Sequence, residues 1–304
     1  MDDWVFVFCD FLRFEMRRSE HTIAAYTADL QAFNSFLGED FKLGSHPINK
    51  TQLKNYVFEL KQNGLSERSI NRKLSAIRAF HAFLAKKGKG SDGVAKSIKS
   101  LRVKKRIPHF LSKVASEALD SNHPEAVDKQ DWVAMRNQLI YEILYGTGIR
   151  LSELIGLRRA DIDMEAGTIL VIGKGKKERL VPLHGGILSL LQSFYLLEHP
   201  SQSAGLSFLI STEKGQQAYP MLIQRVVKEK LADAKNLEKK SPHVLRHTFA
   251  TQILDEGAPL QAVKELLGHA SLQATEVYTH VSTERMKQAY EAAFTKRSAA
   301  EKGN

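Results

Sequence analysis

The first hundred residues carry apolar side chains at three- and four-residue spacing, which is the period of an amphipathic helix. The clearest run is Ile23, Tyr26, Leu30, Phe33 and Leu37. Comparable runs begin around Phe8, Leu53 and Ile70, and the last of them closes at Gly88, a residue type that often follows a helix end. The pattern predicts about four helices in this part of the chain.

A second unit follows, because the stretch 87–106 is rich in Gly, Ser and Lys and Pro108 comes just after it. Two β-strands are predicted around a glycine-bearing hairpin, at 168–172 and 178–182, with Lys174 at the tip. Helical spacing occurs at 112–120, 130–145, 222–235, 243–256 and 259–267. The predicted fold class is mainly α with a small antiparallel β-sheet, in two domains that divide near residue 106.

The distribution of charge singles out the stretch between the two domains. The net charge of +10 indicates affinity for polyanions. Residues 1–106 hold 20 Lys and Arg against 11 Asp and Glu, whereas residues 107–304 hold 24 against 23. Within 86–106, nine basic side chains accompany a single acid, Asp92. Such a stretch either binds nucleic acid or lies in water, and charge alone leaves both open.

Cysteine usage and hydropathy indicate the compartment. The single cysteine, Cys9, excludes an internal disulfide and fits a reducing environment. No apolar run approaches the length of a membrane span, and the acidic Asp2-Asp3 start is unlike a signal peptide. We therefore expect a cytoplasmic protein without a membrane partner.

Four short segments carry the candidate chemistry. They are Thr147-Gly-Ile-Arg150-Leu-Ser-Glu-Leu154, His243-Val-Leu-Arg246-His-Thr-Phe-Ala-Thr251, Leu267-Gly-His269 and Val277-Tyr278-Thr-His280. With the hairpin lysine they resemble the catalytic signature of the tyrosine recombinase (phage integrase) family, most closely its bacterial Xer type. The likeness covers essentially all of 111–280. It assigns catalytic roles to Arg150, Lys174, His243, Arg246, His269 and Tyr278, with Tyr278 as the nucleophile.

The resemblance also implies an architecture, a partner and a task. It implies a two-domain, C-shaped DNA clamp with a helical, SAM-like core-binding domain at 1–88, a basic linker at 89–110 and a catalytic domain at 111–304. The expected partner is double-stranded DNA at a specific recombination site, bound by a homo- or hetero-tetramer of recombinases, with a septal DNA translocase as a further partner. The expected task is chromosome dimer resolution. Integrases of phages, transposons and integrons share the six residues, but the compact length favours the Xer type.

These residue types suit the cleavage of a phosphodiester. Arg150 and Arg246 can neutralise the oxygens that gain charge in the transition state, because a guanidinium binds phosphate oxygens in pairs and stays charged. Attack by Tyr278 keeps the DNA end attached as an ester, which an incoming 5′-hydroxyl reverses without ATP, metal or cofactor. Glu153, three residues after Arg150, either orients its guanidinium or forms a solvent-facing pair.

Lys174 is a candidate general acid for the departing 5′-oxygen. Gly-Lys-Gly-Lys is also an ordinary charged turn, and that alternative stays open. The segment lacks the spacing of a phosphate-binding Walker loop, so it does not indicate ATP binding.

The histidines allow two interpretations. His243 and His247 lie four residues apart, so with His269 they could bind zinc. No glutamate of the zinc-protease motif accompanies them, and Arg246 would place a positive charge near any cation. We therefore expect no metal, a general acid or base role for His243, and a hydrogen bond to the phosphate for His269.

Further DNA contacts are expected from basic residues outside the signature. They are Arg68, Arg72 and Lys73 on the last helix of the first domain, and Lys104, Lys105 and Arg106 in the linker. For the helical residues, contact with water alone is the other possibility.

The chain after Tyr278 continues as a tail helix with an apolar stripe, Met286, Ala289, Tyr290 and Phe294. The resemblance implies that such a tail docks onto a neighbouring protomer. We predict that the stripe packs there when recombinases assemble on DNA, and packing against its own domain is the alternative.

A rival function comes from a different class of protein. The chain could be an architectural or regulatory DNA-binding protein whose active site is disused. A covalent protein–DNA adduct on a nicked substrate distinguishes an enzyme from such a binder.

Overall fold

The computed structural model describes residues 3–38, 40–90, 93–103, 130–173, 175, 177–201, 207–234, 237, 239–268, 286 and 288–294. The chain divides into two compact units, Met1–Ile107 and Pro108–Asn304. Within the described ranges, every helix is too short or too polar to traverse a lipid bilayer.

The first unit is built from helices alone in its described residues, apart from turns and an isolated bridge. They are α1 Asp3–Asp10, continued by a π-helical turn Phe11–Glu15, then α2 Glu20–Leu37, α3 Lys50–Gln62, α4 Glu67–Lys86 and the short α5 Gly93–Ser97. The four predicted helices are confirmed. The additional helix α5 lies within the stretch that is rich in Gly, Ser and Lys.

Polar side chains at the helix starts explain where these helices begin. Ser19 accepts a hydrogen bond from the backbone of the first turn of α2. Asn49 and Gln52 form a reciprocal capping box on α3, with bonds of 2.9 and 2.8 Å. Ser66 caps α4 in the same manner as Ser19. These acceptors satisfy backbone N–H groups that a first helical turn leaves without partners.

The apolar faces of these helices meet in one core. The predicted run on α2 supplies Ile23, Leu30 and Phe33 to it. Phe8 of α1 meets Phe80 of α4 edge to face, with ring centroids 5.4 Å apart. Burial of each such side chain contributes about 1.5–3 kcal/mol, which is the main force that assembles the unit.

Residues 95–101 are tied to α4 by two polar side chains. Asn71 exchanges two hydrogen bonds with the backbone of Leu101, at 2.9 and 2.7 Å. Arg78 donates to the carbonyl of Ile98 at 2.5 Å and to two further oxygens of this segment. Ile98 and Leu101 also pack against the core. Residues 95–101, within the basic stretch, are therefore part of the first unit and pack against α4.

In its described residues, the second unit combines helices with one small sheet. Its elements are α6 Trp132–Thr147, α7 Leu151–Gly156, β1 Ile162–Asp163, β2 Thr168–Ile172, β3 Glu178–Pro182, α8 Gly185–Tyr195, α9 Pro220–Lys230, α10 Pro242–Asp255 and α11 Leu260–Leu266. Four predicted helices correspond to α6, α9, α10 and α11, with shifted ends. The helix predicted at 112–120 lies outside the described residues. Helices α7 and α8 were not predicted.

The sheet is antiparallel, in the order β1-β2-β3. Ile169 of β2 pairs with Val181 of β3 and with Ile162 of β1. Ile169 and Val181 are fully buried, so one face of the sheet joins the core of the unit. The predicted hairpin is confirmed with the same strand bounds, and β1 adds a third strand. The mainly α fold class with a small antiparallel sheet is thus confirmed.

The tail is helical at 288–294, and its apolar stripe lies in the core of its own unit. Phe294 is 1% exposed and packs on the ring of Phe249. The Tyr290 hydroxyl donates to the carbonyl of Gly146 at 3.0 Å. In the single chain the alternative holds, because its own domain shields these side chains from water. Docking onto a neighbouring protomer in an assembly on DNA stays a prediction.

Candidate active site

Arg150 stands at the junction of α6 and α7, after a turn that requires glycine. Helix α6 ends at Gly148, whose φ of 62° lies in the left-handed region. A Cβ at Gly148 would lie 2.4 Å from Cδ1 of Phe249, which excludes any larger residue. Arg150 follows as the first residue of the next turn, and its backbone N–H donates to Oε2 of Glu153 at 2.8 Å. The turn fixes the backbone from which Arg150 projects.

Glu153 is a buried carboxylate shared by two arginines. Its Oε1 accepts from Nη1 of Arg150 at 2.8 Å and from Nη1 of Arg179 at 3.1 Å. Its Oε2 accepts from Nη2 of Arg179 at 2.7 Å. Burial alone would raise the pKa of Glu153, but the hydrogen bonds from Arg179 and Arg150 outweigh it and hold the pKa below its ordinary value. The carboxylate is thus ionised at neutral pH. Of the two alternatives for Glu153, the structure has the one in which it directs the Arg150 guanidinium, and not a solvent-facing pair.

Arg246 projects from α10 and is 7% exposed. Its Nη1 donates to the carbonyl of Gly148 at 2.6 Å, and its Nη2 donates to the carbonyl of Leu267 at 2.5 Å. Burial, and after it the positive charge of Arg150, lowers the pKa of Arg246 to about 10. Arg246 therefore remains protonated at neutral pH.

The residues that follow α11 bring the two signature arginines together. Arg150 donates from Nη2 to the carbonyl of Gly268 at 2.9 Å, next to the Leu267 carbonyl that Arg246 binds. Gly268 has a φ of 66°, and a Cβ there would lie 3.1 Å from Nη1 of Arg179. Glycine thus allows the guanidiniums to approach the backbone closely. The Leu-Gly pair of the signature is a docking point for both arginines.

The remaining signature residues are described only in part. His243 lies on α10, one helical turn before Arg246, and is exposed. Lys174, His269 and Tyr278 lie outside the described residues, so their catalytic roles stay predictions. Among the described residues, no three His, Cys, Asp or Glu side chains are grouped as ligands of a metal ion. The zinc alternative includes His269 and therefore also stays untested.

The predicted DNA contacts of the first unit lie on α4. Arg68 is exposed. Arg72 and Lys73 both pair with Asp29, which is 1% exposed, and the Lys73 Nζ to Oδ1 distance is 3.1 Å. Asp29 thus fixes these two basic side chains, while the Arg72 side chain remains 48% exposed. The linker residues Lys104, Lys105 and Arg106 lie outside the described residues.

Arg179 is a member of this cluster that the sequence reasoning missed. A strand places alternate residues on one face, so Arg179 of β3 shares the buried face of Val181. Its side chain is 12% exposed and its Nε donates to the carbonyl of Leu266 at 2.7 Å. A charged residue on a buried strand face needs a buried partner, and this requirement was the available signal.

Comparison with families of known proteins covers both units. The model of the Phage integrase family matches residues 121–285, and that of the Phage integrase, N-terminal SAM-like domain matches residues 7–88. The matched ranges include the arginine cluster, the end of α1 and helices α2 to α4.

Individual relatives match over nearly their whole length. The chain is 35% identical to the tyrosine recombinase XerC of Chlorobaculum parvum, over 95% of this chain and 94% of that protein. It is 34% identical to the tyrosine recombinase XerC of Listeria innocua, over 93% of this chain and 94% of that protein.

Solved structures share the architecture. The XerH site-specific recombinase bound to a palindromic difH substrate, a post-cleavage complex, has a TM-score of 0.68 at 27% identity, over 88% of this chain and 79% of that one. The Tn1549 transposon integrase in complex with a circular intermediate DNA has a TM-score of 0.67 at 20% identity, over 95% and 99% of the two chains. The second likeness concerns the fold alone.

Proposed function

Because the chain belongs to the phage integrase family of tyrosine recombinases, we propose that it is a Xer-type site-specific recombinase. It cleaves and rejoins duplex DNA through a 3′-phosphotyrosine at Tyr278. The observation that carries the proposal is the cluster of three guanidiniums, from Arg150, Arg179 and Arg246, around the carboxylate of Glu153.

The charge of this cluster fits a phosphodiester. Among the described residues of the cluster, three positive groups and one negative group leave two positive charges in excess. A phosphodiester carries one negative charge, and a second develops as the nucleophile attacks. The excess therefore matches the transition state better than the ground state, which is the condition for catalysis.

Donors for the phosphate oxygens are available on both signature arginines. Arg150 and Arg246 each use one hydrogen bond per terminal nitrogen, to Glu153 and to backbone carbonyls. A guanidinium carries five N–H groups. Both side chains thus keep N–H groups without an acceptor in the part of the chain that the structure describes.

The proposed reaction has two steps. The Tyr278 hydroxyl gives its proton to His243 and its oxygen attacks the scissile phosphorus, while the bond to the 5′-oxygen breaks and Lys174 gives that oxygen a proton. His269 donates a hydrogen bond to the phosphate. In the second step, an incoming 5′-hydroxyl gives its proton to Lys174 and attacks the phosphotyrosine, Tyr278 leaves and takes its proton back from His243, and the strand is resealed without ATP.

The partners are proposed from the relatives. XerH is known in complex with its DNA substrate before and after cleavage. For this chain we propose double-stranded DNA at a specific site, bound by four recombinases, either copies of this chain or this chain with a paralogue. Chromosome dimer resolution, under a septal DNA translocase in the cytoplasm, is the cellular role that fits the XerC relatives.

The test is covalent adduct formation. The substrate is a duplex from the genomic DNA of the source organism. It is selected by its retention on the protein and then shortened to the region that the protein protects in footprinting. A nick beside the cleavage point lets the 5′-hydroxyl fragment diffuse away, so the adduct accumulates. We expect a detergent-stable adduct that also forms in EDTA, is absent with Tyr278→Phe, and persists with Tyr195→Phe as the matched control.

Two further variants test the arginines. Arg150→Ala and Arg246→Ala should each lower the cleavage rate by about a hundredfold or more. DNA retention by Tyr278→Phe should stay close to wild type, because only the nucleophilic oxygen is lost. Retention of DNA without any adduct would identify an architectural DNA-binding protein and refute the proposed activity.

A further inference from the structure

Three consecutive backbone carbonyls at the end of α11 are each bound by a different arginine. The Leu266 carbonyl accepts from Arg179. The Leu267 carbonyl accepts from Arg246, and the Gly268 carbonyl accepts from Arg150. The arginines come from β3, from α10 and from the start of α7, so this short segment joins three separate elements.

Arg179 differs from the other two arginines in how it uses its donors. All three of its nitrogens are engaged, with Nε on the Leu266 carbonyl and Nη1 and Nη2 on the two oxygens of Glu153. Its side chain is 12% exposed, compared with 37% for Arg150. Arg179 is therefore directed at protein atoms, while Arg150 is accessible.

We propose that Arg179 is a positioning residue for DNA cleavage: by occupying both oxygens of Glu153, it keeps the Arg150 guanidinium turned to the phosphate. This inference rests on the proposed recombinase function. Arg179 also joins the hairpin strand that follows Lys174 to the segment that ends one residue before His269. One side chain thus connects β3, the end of α11 and, through Glu153, helix α7.

The physical reason is competition for Arg150. In the structure Arg150 gives Glu153 only one of its terminal nitrogens, Nη1, and its Nη2 donates to the Gly268 carbonyl instead. Without Arg179, the buried carboxylate of Glu153 would lose two of its four hydrogen bonds and one of its two positive partners, and only Arg150 would remain to bind it. A guanidinium pairs with a carboxylate through two parallel bonds where it can. Arg150 would then turn both terminal nitrogens to Glu153, away from the substrate.

The test uses single-turnover cleavage of the nicked duplex at saturating protein. Arg179→Met should slow cleavage by roughly a hundredfold, because a displacement of about 1 Å costs that much. DNA affinity should stay within about threefold, since the residue does not face the substrate. Arg159→Met is the matched control, a half-buried arginine of the same unit that stacks on Tyr195.

Two readouts separate positioning from a merely structural role. The first is a duplex with a methyl group in place of one non-bridging oxygen of the scissile phosphate, which makes the reacting group neutral. On this duplex Arg179→Met should lose less of the wild-type cleavage rate than on the ordinary duplex, and so should Arg150→Ala. A neutral reacting group depends less on a guanidinium than a charged one. The second is the addition of Glu153→Gln to Arg179→Met. The double variant should cleave faster than Arg179→Met alone, because the charge that competes for Arg150 is removed.

Circular dichroism confirms that each variant is folded, and Arg179→Lys replaces Arg179→Met if the latter is not. The proposal is overturned if the folded variant cleaves at the wild-type rate. It is also overturned if the variant is equally slow on both duplexes and unaffected by Glu153→Gln. Failure of the recombinase function itself would look different, because the wild-type chain would then form no adduct on either duplex.

Discussion

Replacement of Phe294 by alanine tests whether the tail belongs to the core of its own unit. Phe294 is 1% exposed. Its ring packs on those of His184, Phe249 and Tyr290, with centroids 5.3, 5.9 and 5.1 Å away. Truncation of a phenylalanine in such a setting costs about 3–5 kcal/mol, from lost burial and from the cavity that remains. We expect a loss of that size in the free energy of unfolding.

Urea unfolding followed by tryptophan fluorescence measures this loss. The chain has two tryptophans, Trp4 and Trp132, one in each unit. Substitution Trp4→Phe leaves Trp132, which is 5% exposed, as the reporter of the second unit. At an m value of about 2–3 kcal/mol per molar urea, Phe294→Ala should lower the midpoint by about 1–2.5 M. Leu196→Ala, at a side chain that is 86% exposed, should leave the midpoint nearly unchanged.

The same assay separates packing within the chain from packing between chains. A tail held by its own domain gives an unfolding midpoint that is constant over about a hundredfold range of protein concentration. A loss below about 1 kcal/mol for Phe294→Ala would refute the reasoning from burial. A wild-type midpoint that rises with concentration would show instead that a neighbouring protomer covers the stripe.

Three further predictions concern charge. Because the folded pKa of Glu153 lies below its ordinary value, its carboxylate stabilises the protein above the unfolded pKa, and this is lost as the pH falls through the folded pKa. Glu153→Gln should therefore have a lower free energy of unfolding than the wild-type chain at neutral pH, and this free energy should fall less on acidification. Thermal unfolding at neutral and acidic pH measures both. Lys174→Ala should slow cleavage of an ordinary phosphodiester but not of a duplex with a 5′-bridging sulfur, whose thiolate leaves without a proton; equal slowing would exclude it as the general acid. Neutralising Lys104, Lys105 and Arg106 should flatten the salt dependence of DNA binding by about 0.9 in the logarithmic slope per charge, and an unchanged slope would place these side chains in solvent.

Periodicity predicted the elements whose partners lie close by in sequence. The hairpin of β2 and β3 has alternating residues and a short turn, so local sequence specifies it. Helix α8 shows the opposite case. It begins with Gly185-Gly186 and lacks a side-chain cap, both of which disfavour a helix. Its residues Ile187, Leu191 and Phe194 are fully buried in the core of the unit. Tertiary contacts therefore form α8 against its local preference.

In the active site, too, some residues could be predicted from the sequence and others could not. The signature identified Arg150 and Arg246, and the structure brings both to the carbonyls that follow α11. The pairing of Arg179 with Glu153 joins a strand to a helix 26 residues away. Spacing along the chain contains no information about such a contact. It depends on which buried face meets which, and that is decided when the core packs.

The attachment of residues 95–101 to α4 sets where the amino-terminal unit can be cut for grafting onto another catalytic domain. A module that ends at Gly88 would leave Asn71 and Arg78 without the backbone groups that they bind. It would also uncover apolar surface where Ile98 and Leu101 now pack. A module that runs through Val103 keeps these contacts, so chimeric recombinases with exchanged DNA specificity should be joined after Val103.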